Sequence, residues 1–336
     1  MKAVAIDRYG GNEQVKVLDL PSPVPGPTQV LIDVHAAGVN PVDFKIRGGK
    51  LKAVRKVTFP FILGSEVSGV VRAAGAGVKQ FKVGDEVFVR LSKLDCGGFA
   101  EQAVADESLV AAKPPTLSHA EAAGLPLAGL TAWQALTDYA KLKAGESVLI
   151  HAGAGGVGSL AIQLAKHLGA KVFTTASASS RPLVESLGAD RVIDYRSERF
   201  EEVARAAGGM DVVFDTMGGE TLERSFLAVK RGGRVVGING LPDAPTARKM
   251  GMGGAAVAVL GLLGWPLQRR ARKAGATYQY LFMEPVGAQL QLLADLVEQG
   301  KLRAVMDRTF PLDQAADALA YVEAGKAHGK VVLAVR

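Results

Sequence analysis

Of the 336 residues in this chain, the run from Ser147 to Ser177 limits what it can fold into more than any other. Val148, Leu149 and Ile150 read as a buried strand, and the loop His151-Ala152-Gly153-Ala154-Gly155-Gly156-Val157-Gly158 follows. Val157, Leu160, Ala161, Leu164 and Leu168 then recur three and four apart, the period of an amphipathic helix. Gly169 is placed to close that helix, and Lys171 to Thr175 reads as a second strand. Gly153, Gly155 and Gly158 fall on the G-x-G-x-x-G spacing inside this β-α-β unit. One glycine of such a loop makes the tight turn, another lets backbone approach a pyrophosphate, and the third allows close helix–strand packing. The free N–H groups and the dipole at the helix start attract phosphate. The loop therefore predicts a dinucleotide site built from Gly153, Ala154, Gly155, Gly156, Val157 and Gly158; the alternative is a merely tight turn.

The end of the second strand bears on which dinucleotide binds. An acidic residue about 20 positions past the glycines would hold the adenosine 2′-hydroxyl of NAD. That count lands on Ser177, in Thr175-Ala176-Ser177-Ala178-Ser179-Ser180-Arg181, and no carboxylate appears before Glu185. A carboxylate repels a 2′-phosphate, whereas hydroxyls and a guanidinium hold one. The pattern favours NADPH over NADH, unless these serines are ordinary solvated loop residues and Arg181 a surface charge.

The length allows two domains, and 22% charged with 48% hydrophobic residues is ordinary for a globular protein. Cys96 is the single cysteine, which rules out an internal disulfide and multi-cysteine zinc sites and points to a reducing compartment, read as cytoplasmic. Met1 runs into an apparent strand, Ala3 to Ile6, so no signal or transit peptide is evident. The net charge of +7 suits an anionic ligand; the cluster Arg269, Arg270, Arg272 and Lys273 reads as a solvated face, not a specific nucleic-acid site.

The first part of the chain is β-rich and punctuated by glycine, with strands expected at Val30 to Val34, Glu66 to Arg72 and Glu86 to Arg90. Beyond Leu125, strands and helices alternate: Val148 to His151, Lys171 to Thr175, Arg191 to Asp194, Asp211 to Asp215, Arg234 to Ile238 and Ala276 to Phe282. This describes an α/β protein with a doubly wound parallel sheet. A helix is expected at Gln289 to Gln299, and the tail from Val305 ends in a strand-like Lys330 to Leu333 that should return to the first domain. Residues 1–122 and 303–336 would form one discontinuous domain and 123–302 the other, with an apolar insertion near 248–275. Met250 to Gln268 carries no charge, at the threshold length for a membrane span. A single crossing would separate strands of one sheet, and five glycines with Pro266 weaken a spanning helix. An inserted lobe lining an apolar pocket or a subunit contact is expected, with weak membrane attachment as the lesser alternative.

Several further stretches resemble one family in the same order: Ala37-Gly38-Val39-Asn40-Pro41-Val42-Asp43-Phe44-Lys45, Leu63-Gly64-Ser65-Glu66-Val67-Ser68-Gly69, Pro126 to Trp133, the glycine loop, and Gly329-Lys330-Val331-Val332-Leu333. The chain is similar to zinc-free members of the medium-chain dehydrogenase/reductase superfamily, in the quinone oxidoreductase and enone (2-alkenal) reductase branch. The resemblance implies a GroES-like catalytic domain, a Rossmann domain, a nicotinamide cleft between them, and a homodimer. Zinc enzymes of the superfamily carry a cysteine at the position of Asn40 and a histidine at that of Ser65, so both ligand positions here are poor for zinc. Without that Lewis acid, a conjugated acceptor is the easier substrate, because hydrogen bonds alone can stabilise the charge that hydride addition places on its oxygen.

The resemblance also assigns residues. Asn40 and Lys45 match positions near the nicotinamide ribose and substrate, with Asp43 beside them. Thr131 matches a position facing the nicotinamide. Ser177, Ser180 and Arg181 would surround the 2′-phosphate, with Tyr195 near the adenosine; Gly237, Ile238, Asn239 and Phe282 would bring backbone to the nicotinamide, and Lys330 joins the cofactor set. Lys45 would orient the ribose or assist the developing enolate, or is a surface lysine beside a turn. Glu66, His119 and His151 read as structural. The resulting expectation is an NADPH-dependent, zinc-independent reductase of a quinone or an α,β-unsaturated carbonyl compound. The alternatives are a zinc-free ketone reductase, or a cofactor-binding non-enzyme of crystallin-like or nucleic-acid-binding type.

Overall fold

The computed structural model describes residues 1–52, 57–93, 96–240 and 242–336. In chain order the strands are β1 (Lys2–Ile6), β2 (Lys16–Asp19), β3 (Gln29–Val39), β4 (Phe61–Ile62), β5 (Glu66–Ala74), β6 (Glu86–Arg90), β7 (Gln102–Asp106) and β8 (Val110–Ala112). There follow β9 (Ser147–Ile150), β10 (Lys171–Ala176), β11 (Arg191–Asp194), β12 (Met210–Asp215), β13 (Val229–Gly237) and β14 (Thr277–Tyr280), then β15 (Met306–Pro311) and β16 (Lys330–Ala334). Contacts divide the chain into two compact units, Met1–Leu130 with Pro285–Arg336, and Thr131–Glu284.

The first unit is β-rich. Its larger sheet runs β15-β16-β3-β5-β6-β8, with β7 also on β3, and a smaller sheet runs β2-β1-β4. The tail enters the larger sheet because Val331, Val332 and Leu333 bury fully against β3, in antiparallel register with Val39, Gly38 and Ala37. β3 is longer than its sequence signal, because Ala36, Ala37 and Gly38 carry no large apolar group and yet pair with β5 or β16.

The second unit is a six-stranded parallel sheet in the order β11-β10-β9-β12-β13-β14. Its central strands are apolar along their length, as a sheet covered on both faces requires: Val148, Leu149, Ile150, Val212, Val213 and Phe214 are fully buried. The winding direction reverses between β9 and β12, so the loops leaving their carboxyl ends part there and open a crevice. Helix Gly156–His167 covers β9 and β10; of the apolar residues spaced three and four apart, Leu160, Ala161 and Leu164 are buried and Val157 and Leu168 half-buried, while Ile162, Gln163 and Ala165 are buried as well. Gly169 takes φ +79 just beyond it, the left-handed conformation that ends a helix.

The uncharged run Met250–Gln268 lies largely within a continuous helix, Gly254–Ala274. Val257, Gly264 and Ala271, seven residues apart, form its buried stripe. A Cβ at Gly261 would make only ordinary contact, 3.5 Å from that of Ala244, so no close approach there demands glycine. Among the described residues no helix is long and apolar enough to cross a membrane.

Close approach of β5 to β3 depends on Gly69, where a Cβ would stand 2.0 Å from the Asp33 carbonyl oxygen. Gly69→Ala should therefore lower the unfolding free energy by about 1–3 kcal/mol, the usual cost of overpacking. Urea unfolding followed by circular dichroism measures this, and an unchanged midpoint would contradict it.

Candidate functional site

The glycine loop is held by the strand beside it. Ala152 adopts φ +53, its N–H donates to Thr175 Oγ1 at 3.0 Å, and the Gly153 N–H donates to the Thr175 carbonyl at 3.0 Å. A Cβ on Gly153 would fall 2.0 Å from Thr174 Oγ1, and one on Gly158 would fall 2.2 Å from the Ala152 carbonyl oxygen. Internal packing therefore demands both glycines. Gly155 differs: its only neighbour at that position is the Ala152 oxygen, at 3.3 Å. It caps helix Gly156–His167, whose first turn receives no side-chain cap, so the loop presents a helix start and a bare backbone as an anion site requires.

Except for Thr131, the other residues assigned to the cofactor in this unit follow the carboxyl ends of strands in the same sheet. Beyond β10, Ser177 and Ser180 are buried, and the Ser177 hydroxyl lies 2.9 Å from those of Ser179 and Ser180. Arg181 is partly exposed, with its guanidinium 3.5 Å from Glu185 and 3.4 Å from the Val192 carbonyl. Tyr195, just past β11, is exposed, with the Arg196 guanidinium 5.7 Å from its ring centroid. Gly237 ends β13; the Ile238 N–H donates to the Asp215 carbonyl, and Asn239 Nδ2 to the Met217 carbonyl at 2.9 Å. Phe282 follows β14. Thr131 is buried on helix Pro126–Gln134, and Gln134 exchanges two hydrogen bonds with the Glu284 backbone, at 2.8 and 2.9 Å.

His151 is structural, as expected, whereas Asp215 gains a role that the sequence did not reveal. Asp215, at the carboxyl end of β12, accepts from the Gly218 and Met217 N–H groups through Oδ1. Its Oδ2 is buried without a partner, and burial raises its pKa to about 6. His151 is buried between Thr175 Oγ1 (3.2 Å) and Ser225 Oγ (3.1 Å). Burial first, and the Arg224 charge second, lower its pKa to about 3, so the ring is neutral. The strand-end position of Asp215 was its only sequence signal.

In the first unit, the structure gathers Asn40, Asp43, Ser65, Glu66 and Lys330. The Lys330 ammonium donates to Asn40 Oδ1 at 2.5 Å and to Glu66 Oε1 at 2.8 Å. Asn40 Nδ2 donates to the same Glu66 oxygen at 2.7 Å and to the Gly38 carbonyl at 3.3 Å, while the Leu127 N–H donates to Glu66 Oε2 at 2.6 Å. Lys330, expected among the cofactor residues, thus has its charge on a buried carboxylate, and both ends of the Asn40 amide are engaged inside this unit. Asp43 accepts from the Asn40 N–H (2.8 Å) and the Ser65 hydroxyl (2.8 Å), closing the start of helix Pro41–Arg47. It is fully buried, and burial raises its pKa to about 6 against the pull of those two donors. Lys45, on the same helix, is half-buried, and its pKa is lowered by burial first and by Lys50 second. Ser65 is the member of this group whose part the sequence did not suggest.

Comparison with known proteins agrees with this geometry. Residues 26–115 match the alcohol dehydrogenase GroES-like domain, and residues 187–333 match a zinc-binding dehydrogenase model. The chain is 36% identical over 358 residues to the human mitochondrial NAD(P)H oxidoreductase RTN4IP1, covering 100% of this chain and 89% of that protein. It is 38% identical over 347 residues to the chloroplastic NADPH-dependent alkenal/one oxidoreductase of Arabidopsis thaliana, covering 99% and 79%. Among solved structures, the quinone oxidoreductase from Coxiella burnetii superposes with a TM-score of 0.86 at 35% identity, covering 100% of this chain and 99% of that one.

Two outcomes follow from the loop and from the ring beneath it. Gly158→Ala should cost several kcal/mol of stability, whereas Gly155→Ala should fold nearly as well but bind dinucleotide about tenfold or more weakly. Calorimetric titration beside thermal unfolding separates the two, and equal losses by both variants would remove the ligand-facing role from Gly155. The histidine of the unfolded chain protonates below about pH 6.5 while His151 stays neutral, so its contribution is complete above that pH and is lost progressively as pH falls toward 3. The stability advantage of the parent over His151→Gln should shrink over that interval in urea titrations at stepped pH; a constant gap would show that His151 is not held neutral.

Proposed function

The chain belongs to the medium-chain dehydrogenase/reductase superfamily, in its quinone oxidoreductase and enone reductase branch, and on that premise we propose that it reduces quinones or α,β-unsaturated carbonyl compounds with NADPH and without zinc. The observation that carries this reading is the carboxyl edge of the parallel sheet. A phosphate-ready glycine loop lies there beside Ser177, Ser180 and Arg181, in a position where an NAD-binding chain would carry a carboxylate. The group that fits this edge, NADPH, supplies a hydride when bound.

For this chain's own residues, the reading assigns the loop N–H groups to the pyrophosphate, and the Ser177 and Ser180 hydroxyls with the Arg181 guanidinium to the 2′-phosphate. Arg181 would exchange its long contact with Glu185 for the phosphate. The backbone at Gly237 to Asn239 and Phe282 would orient the nicotinamide. Zinc independence is supported by the donor set at Asn40 and Glu66: an amide and a carboxylate that already share the Lys330 ammonium, a cation fixed by two hydrogen bonds. No group of three or more His, Cys, Asp or Glu side chains suited to a metal ion occurs among the described residues. Stabilisation of the oxygen then falls to hydrogen bonds and local charge, with Lys45 the cationic candidate, and a conjugated acceptor suits such a site better than a simple ketone. The same reading has the protein acting as a homodimer in the cytoplasm.

Loss of NADPH absorbance on mixing with an ortho-quinone or a small enone tests the reading directly. Turnover should proceed without added metal and withstand a chelator. Arg181→Ala should weaken NADPH binding by about 1–3 kcal/mol and leave NADH binding nearly unchanged. Failure of every conjugated acceptor by a protein that binds NADPH would end the enzymatic proposal, and equal weakening of both nucleotides would remove Arg181 from it.

A further inference from the structure

Helix Gly254–Ala274 presents to solvent the densest run of exposed large apolar side chains among the described residues. Val259 is 54% exposed, Leu262 76%, Leu263 55% and Trp265 51%, four large apolar side chains within seven residues. Helical rotation explains the pattern: Val257, Gly264 and Ala271 face inward at seven-residue spacing, residues beside that stripe such as Leu260 and Leu267 are half-buried, and those on the opposite side face out. The solvent side of the following turn and a half is cationic, with Arg269, Arg270, Arg272 and Lys273 all exposed. The helix contains no acidic residue. Arg270 is paired with Glu223 at 2.9 Å, and the Arg269 guanidinium lies 5.3 Å from the Trp265 ring centroid. Over a length of about 31 Å the outer face therefore passes from apolar, through an indole, to basic.

We propose that this face is a binding surface for anionic lipid bilayers. The occupant is identified by the match of chemistry along the axis. Val259, Leu262 and Leu263 would enter the acyl boundary, Trp265 would sit at headgroup depth where an amphipathic ring is favoured, and the basic turn would meet lipid phosphates. A second copy of the chain fits less well. A two-fold contact sets the patch against itself, and the patch brings arginines and a lysine with no carboxylate beyond the already paired Glu223. Nucleic acid would match the cations but leave the apolar residues in water. The attachment is peripheral, as no helix among the described residues can span a bilayer. It is independent of the reaction proposed above, because it needs only this helix.

The only tryptophans are Trp133 and Trp265, so Trp133→Phe makes Trp265 the reporter. Its emission should shift to the blue with vesicles of phosphatidylcholine and phosphatidylglycerol, and not with phosphatidylcholine alone; the protein should float with the former, and added salt should weaken the binding. Leu262→Glu with Leu263→Glu should lower partitioning by about a hundredfold. Arg269→Gln with Lys273→Gln should remove the preference for anionic lipid. Both variants should keep the parent's circular dichroism and NADPH affinity, since all four residues are exposed. Absence of flotation with anionic vesicles would overturn the proposal, as would equal flotation by the glutamate variant. A fall in sedimenting mass caused by the glutamates would make the surface a subunit contact instead, and would overturn it too.

Discussion

The buried ion pair between Lys330 and Glu66 is the interaction on which the first unit turns. It binds the last strand of the chain to the start of β5, and through Asn40 to the end of β3. Its geometry leaves no room for a larger residue at Gly38, where a Cβ would stand 2.2 Å from the Glu66 carboxylate. Two charges taken out of water gain little over a well-packed apolar pair, but removing either partner alone leaves an uncompensated charge at a cost of about 3–5 kcal/mol. The pair therefore acts mainly as a constraint. Lysine, glutamate and the asparagine between them form one unit, and none of the three can change singly without strain on the others.

That constraint reaches into the chemistry. The Lys330 ammonium is committed to the Glu66 carboxylate and the Asn40 amide, which under the reading proposed above leaves that position poor for a metal. Under the same reading, electrostatic assistance comes from groups outside this network, and Lys45, half-buried with its pKa lowered by burial, is the cationic candidate. Asp43 is fully buried, and that burial raises its pKa to about 6 against the Ser65 and Asn40 donors that favour its charged form.

The second unit depends on a different constraint, the absence of side chains at Gly153 and Gly158. Each lets backbone or a threonine hydroxyl come nearer than any Cβ permits. Strand, loop and helix are thereby packed so closely that Gly155 projects bare backbone at the helix start. Thr174 and Thr175 complete this arrangement: Thr174 Oγ1 donates to the Ile150 carbonyl, and Thr175 Oγ1 accepts from Ala152. The sequence marked these threonines only as strand residues, because their hydroxyl contacts cross to a neighbouring strand.

The parallel sheet was legible because its strands are apolar runs separated by amphipathic periods, a signal carried by neighbours in the chain. The long helix Gly254–Ala274 was harder to read. Its glycines and proline lower local helix propensity, yet Val257, Gly264 and Ala271 fall on one face and are buried, a spacing that only the folded helix reveals. The contact of Lys330 with Glu66 joins residues 264 positions apart, beyond the reach of any spacing rule. The order of elements, the glycine-loop spacing and the lack of a carboxylate after β10 are readable from the chain alone, since each lies within one local stretch. Packing shows what no stretch of chain could: Asn40 is bonded within its own unit, burial raises the pKa of Asp43 and Asp215, and one apolar helix face remains in water. Those outcomes depend on burial and on partners, which exist only once distant segments have packed together.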